Sequence, residues 1–439
     1  MKKFLAAAIS AVCVATVALC GCVTISGVDG LDGKDGGDVS IHAIYEATNE
    51  ARKAEGLSEL TFLEFVSEYL THSDGDVESA GSLQSSINRS LLSGVSVAAG
   101  FNEKVISSTG WWKTEANWYF GSGVIVDLDK ETGDAYVVTN CHVIYNEDAV
   151  GSAISKSVYL FLYGQDYSYD VENCAIAATV VGASRSYDIA LLKVEGSELL
   201  KDSAARAAEF VTADDVSVGE TVYAIGNPEG YGLSATQGIV SKDSEYIDVN
   251  LSAENKKNPT VKTYRVLRTD AAINSGNSGG GLFNSNGAVV GIVNAKASSS
   301  TIDNMGYALP AGNVRRLVSV MKDCESSYSG VGLNLPVIQA KLNYKECMSK
   351  YHSDTNSIEI VENVFVKEAG GGLEDNDSIR RIKITDADGN IVEDKEVTRL
   401  YHFNDTLLSM RSGYKLTVTV SRAGETKEIT VPVTYEYSD

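Results

Sequence analysis

The chain is poor in basic residues, proline and histidine, and each scarcity removes a class of explanation. Only 37 lysines and arginines stand against 59 aspartates and glutamates in 439 residues, a formal charge of −22. Such a surface repels phosphate instead of releasing its counterions, and no local basic patch offsets it, which argues against nucleic acid as a partner. Five prolines against 40 glycines suit a protein rich in strands and loops. Seven cysteines occur without a CxxC pair or a neighbouring histidine pair, so no metal site is expected. There is no GxxxxGK(S/T) loop for nucleotide phosphate, and no cofactor is expected. What is abundant is apolar material: 44% hydrophobic against 22% charged residues supports buried cores and rules out global disorder.

Lys2 and Lys3 followed by the apolar run from Phe4 to Leu19 have the form of an export signal, too short for a comfortable membrane span. The run ends in Leu-Cys-Gly-Cys, which resembles a bacterial lipobox, with Cys22 after a small residue as the lipidated position; a plain secretory signal is the alternative. Residues 1–21 are thus expected to be a signal peptide that places the protein outside the cytoplasmic membrane, anchored by lipid at Cys22. Residues 22–40 contain the triplet repeat GVDGLDGKDGGD, which has no proline to hold a triple helix and reads as a flexible acidic spacer of about 20 Å.

From Ile41 to about Leu70 the spacing is helical, with Ala43, Ala47 and Ala51 four apart and a capping-box pattern from Thr61 to Glu64. Residues 71–89, rich in Ser, Asp and Gly, read as a linker. The pattern then changes to short β-type runs, among them GVIVDL, YVVT, IALLKV, TVYAIG and VVGIVN, without regular intervening helices. That indicates an all-β barrel or sandwich from residue 89 to 323, closed by a helix at VRRLVSVMKDC. Residues 324–439 form a smaller module with strand-like runs around an amphipathic stretch from Thr398 to Met410.

Three segments carry matching chemistry: Thr-Asn-Cys-His-Val ending at Val143, Tyr-Asp-Ile-Ala-Leu-Leu from Tyr187, and Gly-Asn-Ser-Gly-Gly from Gly276. Serine attacks carbonyls only when a histidine takes its proton and a carboxylate orients that histidine. His142, Asp188 and Ser278, in that chain order, supply base, carboxylate and nucleophile. Glycines around Ser278 let the loop aim the N–H groups of Gly276 and Ser278 at an oxyanion. Isolated, GNSGG is also a common turn and DIALL an ordinary buried strand; their combination is what points to hydrolysis.

Thr269 to Leu282, TDAAINSGNSGGGL, resembles the active-site serine segment of the HtrA (Deg) family of trypsin-like serine proteases, and TNCHVI, YDIALLKV, AIGNPEG and GYALP resemble its other signature segments. The resemblance implies two packed six-stranded barrels with His142 and Asp188 on the first and Ser278 on the second. Departures are Cys141, where Asn or Ala is usual, and Ser275 and Gly281, where proline is usual. Cys141 reads either as a redox-sensitive thiol or as a buried apolar residue. By analogy Ala272, six before the nucleophile, lies at the base of the specificity pocket and implies cleavage after small or medium apolar residues. Val293, Asn294 and Ala295 resemble the strand that pairs with substrate. The family also implies homotrimers, for which Trp111, Trp112 and Trp118 are candidate anchors, unless they only cover a barrel end.

The C-terminal module resembles a PDZ domain. YSGV, ending at Val331, is similar to its carboxylate-binding loop, and Gly371 to Ile379 to its GLxxGDxI turn, with Asn376 replacing glycine. This implies capture of peptide C-termini by strand addition. The expected function is an ATP-independent serine endopeptidase acting on unfolded or exported polypeptides; the competing one is a peptide-binding chaperone or scaffold with a resting catalytic loop.

Overall fold

The computed structural model describes residues 49, 52–53, 83–106, 112–165, 174–212, 216–250, 261–296, 305–325, 330–354 and 357–438. Cys22, the acidic spacer, Trp111 and residues 328–329 lie outside these, as does all of 41–82 except three helical residues. Met1–Gly81 and Ser82–Asp439 are separate units.

Two closed antiparallel barrels of six strands make up the larger part of the second unit, a trypsin-like fold. The first barrel contains β1 (Gly94–Ile106), β2 (Trp112–Asp129), β3 (Asp134–Thr139), β4 (Ser157–Leu162), β5 (Ile176–Ser184) and β6 (Ile189–Val194), closed in the order β1-β2-β3-β6-β5-β4. The second contains β7 (Thr221–Gly226), β8 (Ser234–Asn250), β9 (Val261–Thr269), β10 (Gly281–Asn284), β11 (Val289–Lys296) and β12 (Gly306–Pro310), in the order β10-β11-β12-β9-β8-β7.

Continuous apolar runs appear where a strand buries both faces. Ile125, Val137 and Leu192 fill the first barrel, while their neighbours Val124, Val138 and Leu191 face outward into a shared cluster with Tyr223, Ile225 and Phe283. The second barrel repeats the arrangement, with Val222, Ala224 and Leu282 inside. Alternate side chains of a strand point to opposite faces, so a two-sided core needs the unbroken pattern VIV, VVT or ALL instead of apolar–polar alternation. The inter-barrel cluster is the floor beneath the cleft.

The segment expected to be a linker contributes structure: α1 (Leu83–Leu91) is a helix. Leu83, Ile87 and Leu91, four apart, pack on the inter-barrel cluster, and Ser90 Oγ lies 2.9 Å from the Tyr223 hydroxyl. Composition favoured a loop there, but the apolar stripe buries enough surface to prevail. A one-turn helix α2 (Cys141–Ile144) follows β3, and α3 (Glu198–Asp202), capped by Ser197, begins the passage between barrels. Helix α4 (Ala311–Cys324) closes the pair through Val314, Leu317, Val318 and Met321.

The smaller module opens with β13 (Leu333–Ile338), which pairs along its length with the last strand, β20 (Val433–Ser438). Between them, β14 (Lys341–His352), β15 (Ser357–Glu368), β16 (Ser378–Thr385), β18 (Lys415–Arg422) and β19 (Glu425–Val431) form a sheet in that order, with β17 (Ile391–Glu396) paired to β16. Helix α5 (Leu400–Leu407) lies within the predicted amphipathic stretch. Asn376 has φ of +68°, a conformation asparagine tolerates better than most residues.

A buried ionic contact joins this module to the second barrel. Arg265 on β9 pairs with Asp405 on α5 at 2.5 Å, their side chains 5% and 8% exposed. Arg265 also stacks over Tyr401 at 4.1 Å, and Arg399, which pairs with Asp243, approaches the same ring at 4.8 Å. Removing one partner of a buried pair leaves the other charge desolvated. Asp405→Ala is therefore expected to destabilise the protein by about 3–5 kcal/mol, checked by denaturant unfolding against the parent chain.

Candidate active site

The first barrel presents the candidate base, His142. In α2, Cys141 and Ile144 turn into the core, at 1% and 0% exposure, which leaves the His142 imidazole on the opposite side, 43% exposed to the cleft. Cys141 is thus a packed core thiol, the second of its two sequence readings. Asp188 sits in the turn before β6 with φ of +49° and is buried. Its Oδ1 accepts the His142 backbone N–H at 2.9 Å, and its Oδ2 lies 2.7 Å from His142 Nδ1. A carboxylate can only accept here, so Nδ1 carries the proton and Nε2 keeps its lone pair. Asn140 Nδ2 donates to the Asp188 carbonyl at 2.8 Å, which holds the strained turn.

Protein packed around the cleft partly desolvates the charged imidazole and opposes it, but the charge of Asp188 and its hydrogen bond outweigh that cost and raise the His142 pKa above the ordinary 6.5. Beside His142, a cavity of 310 Å³ is lined by Phe101, Tyr119 and Tyr145 among others. Glu103 secures that wall, accepting from the Tyr119 hydroxyl at 2.6 Å and from Asn117 at 2.7 Å. The Glu103 bond pushes the Tyr119 phenol up to about 12.

The second barrel presents the candidate nucleophile, Ser278, on the loop between β9 and β10. Gly276 and Gly279 have φ of +93° and +87°, and a Cβ at either would meet a backbone oxygen, Asn227 O at 2.1 Å and Ser122 O at 2.2 Å. Only glycine meets both demands. Within the loop, the N–H groups of Asn277, Gly279 and Gly280 bond to Asn274 O, Val293 O and Asn277 O. Those of Gly276 and Ser278 have no acceptor among the described residues. The Ser278 hydroxyl donates to the Asn294 carbonyl at 3.1 Å and makes no hydrogen bond to His142.

The remaining expected site residues are placed differently from one another. Ala272 is exposed, and its carbonyl accepts from Thr236 Oγ1 at 2.9 Å. Val293 does not offer free backbone to a substrate: its N–H goes to Gly280 O and its carbonyl accepts from Gly279, both at 2.8 Å, so this residue holds the nucleophile loop. Asn294 falls at a bulge between β11 and β12, and its side chain turns inward to donate to Asp188 Oδ2 at 2.5 Å. Of Ala295 only the backbone is described; it pairs with Tyr307. Gly281, where the resembled family has proline, is explained by packing: a Cβ there would lie 2.3 Å from the Phe283 ring, which stacks on Tyr223.

The sequence reading missed the Asn294 side chain and Ser122. Each is a polar residue next to an apolar run, Ser122 just before Val124-Ile125-Val126 and Asn294 just after Ile292-Val293, and a polar group buried there must find partners. That was the available signal.

Of the segment resembling a carboxylate-binding loop, Gly330 and Val331 are described, and they lie against β5. Gly330 O accepts from Ala183 N–H of β5 at 2.9 Å, and Gly332 N–H donates to Ala183 O at 2.8 Å. The strand after it, β13, pairs along one edge with β20. Peptide capture on that edge would require β20 to leave.

Residues 121–292 match the family described as a trypsin-like peptidase domain. A Bacillus subtilis (strain 168) protein, "Serine protease Do-like HtrA", is 33% identical over 258 residues, 57% of this chain and 50% of that protein. "Serine protease HtrA-like" of Staphylococcus aureus (strain USA300) is 27% identical over 320 residues, 71% of this chain and 37% of that protein. The chain therefore spans half or less of the length of these relatives. Among solved structures, "HtrA-type protease AlgW with decapeptide" aligns with a TM-score of 0.46 at 22% identity, covering 81% of this chain and 99% of that one. Residues 121–292 are thus similar in sequence to trypsin-like peptidase domains.

Proposed function

We propose that this protein is an ATP-independent serine endopeptidase that cleaves unfolded or exported polypeptides by a Ser-His-Asp mechanism. The observation that carries the reading is the His142–Asp188 pair at 2.7 Å, which leaves Nε2 available on the cleft side, opposite a serine loop with two uncommitted N–H groups. In the reaction Ser278 Oγ rotates away from Asn294 O, His142 Nε2 takes its proton, and the oxygen attacks the substrate carbonyl. The N–H groups of Gly276 and Ser278 receive the oxyanion; the C–N bond then breaks as His142 gives its proton to the leaving amine, and a water activated by His142 hydrolyses the Ser278 ester, releasing the acid and restoring the hydroxyl. Ala272 brings no charge to the segment before the loop, which supports cleavage after small or medium apolar residues. The lipobox-like Cys22 supports anchoring at the outer face of the cytoplasmic membrane. The HtrA likeness supports trimers and a PDZ-like role for residues 324–439 in receiving peptide C-termini.

One observation favours a second reading, a resting peptide-binding scaffold: the Ser278 hydroxyl is bonded to Asn294 O instead of His142. A fluorophosphonate probe with an unfolded casein digest decides between them. The endopeptidase reading expects labelling of the purified protein that is lost in Ser278→Ala and His142→Ala, together with casein cleavage. Absence of both in the parent chain would overturn it and leave the scaffold.

A further inference from the structure

We infer that Ser122 is a positioning residue of the nucleophile loop, supplied by the opposite barrel; this rests on the endopeptidase reading above. Ser122 lies on β2, fully buried, and makes four hydrogen bonds. Its N–H donates to Ser278 O at 2.8 Å and its carbonyl accepts from Thr139 Oγ1 at 2.7 Å. Its hydroxyl donates to Gly276 O at 2.7 Å and accepts the N–H of Asn227 at 2.8 Å. One hydroxyl has a single proton and two lone pairs, so it can fill both roles at once.

The partners explain the consequence. Gly276 lies between two peptide groups whose orientation sets the direction of the loop's free N–H groups. The preceding peptide is held by Ser275 O accepting from Glu229 N–H at 2.8 Å, and the following one by Ser122 Oγ. A trans peptide points its carbonyl and N–H in opposite directions. Fixing Ser275 O toward Glu229 therefore turns the Gly276 N–H the other way. Fixing Gly276 O toward β2 keeps the Asn277 N–H on Asn274 O, inside the loop. The neighbouring Ser278 is tied to the same residue through its own carbonyl. Positions 275 and 281 carry serine and glycine, so no proline ring limits φ at either end of the loop. The restraint comes instead from the first barrel.

The approach that makes this contact possible is local to β2. A Cβ at Gly121 would meet Val143 at 2.7 Å and Ser278 O at 3.1 Å, and one at Gly123 would meet Val137 at 2.8 Å. Glycine on both sides of Ser122 brings the strand against the loop and against the residues around His142. Ser122 thereby links the base side and the nucleophile side of the cleft, through Thr139 on one hand and Gly276 and Ser278 on the other.

The test compares Ser122→Ala and Ser122→Thr with the parent protein, using kcat and KM on a cleaved peptide, the rate of fluorophosphonate labelling and its final extent, and Tm. Misplacing reacting groups by about 1 Å costs on the order of a hundredfold. Ser122→Ala is expected to lower kcat and the labelling rate per reactive site by about 10- to 100-fold, with KM changed by less than about threefold. Ser122→Thr, which keeps the hydroxyl, is expected to recover most of the rate. A merely structural role predicts a lower Tm and a smaller labelled fraction, but an unchanged rate per labelled site, and that result overturns the inference. Should Ser122→Ala fail to fold, Ser122→Cys, whose thiol is a weak donor and acceptor, is expected to show a smaller loss in kcat. A parent-like kcat there would also overturn the inference. If the parent protein labels and cleaves normally while all variants match it, only this inference fails; if the parent does neither, the endopeptidase reading fails first.

Discussion

Asp188→Asn is expected to lower kcat/KM by about 10⁴-fold while leaving the fold intact. Asparagine tolerates the left-handed backbone that Asp188 adopts at φ +49°, so the substitution isolates the chemistry from the turn. Three donors point at the carboxylate: the His142 N–H, His142 Nδ1 and Asn294 Nδ2. An amide has one oxygen for these and places its NH2 against a donor. Where that NH2 faces Nδ1, the imidazole moves its proton to Nε2 so that Nδ1 can accept, and the face toward the cleft ceases to be a base.

The same substitution moves the pH profile in a defined direction. Under the proposed mechanism the parent needs neutral His142, whose raised pKa is expected to place the acid limb of kcat/KM above pH 6.5, with activity increasing as pH rises through it. Without the Asp188 charge, partial desolvation alone acts on the imidazolium and the limb moves to lower pH. A pH series on both proteins checks this. An unchanged limb, or a loss of less than about tenfold against the 10⁴ expected, would remove Asp188 from the mechanism.

Gly276→Ala is expected to lower kcat by at least about a hundredfold, the usual effect of removing one oxyanion donor. The position combines φ of +93° with a site where a methyl would lie 2.1 Å from Asn227 O, and Asn227 is itself buried and bonded to Ser122. Backbone cannot yield as a flexible side chain would, so the loop moves and takes the Gly276 N–H with it. Gly389→Ala provides the control. It has φ of +88° and open space around its Cβ, so it is expected to cost about 1 kcal/mol in stability with kcat unchanged. Equal kinetic effects from the two substitutions would show that loop geometry at Gly276 is not what matters.

Much of the architecture was legible in the chain. Apolar runs such as VVT and IALL predicted strands, and the structure adds that they are buried on both faces, one inward and one toward the partner barrel. Helix α4 and the C-terminal strands were likewise visible in local spacing. The misreading of residues 83–89 has a plain cause: serine-rich composition suggested a linker, while three leucine and isoleucine positions four apart buried a helix against the second barrel.

The sequence by itself determined the strand pattern and the types and order of His142, Asp188 and Ser278, because these follow from local periodicity and short motifs. Tertiary structure alone decided how those residues are held. It brought Ser122 to Gly276 across 154 positions and Asn294 to Asp188 across 106, and it turned Val293 from an expected substrate contact into a support of the nucleophile loop. It also set Arg265 against Asp405 and paired one edge of β13 with β20. The physical reason is the same in each case. A buried polar group announces in sequence only that it needs a partner, and which partner it finds depends on where the barrels bring distant strands together.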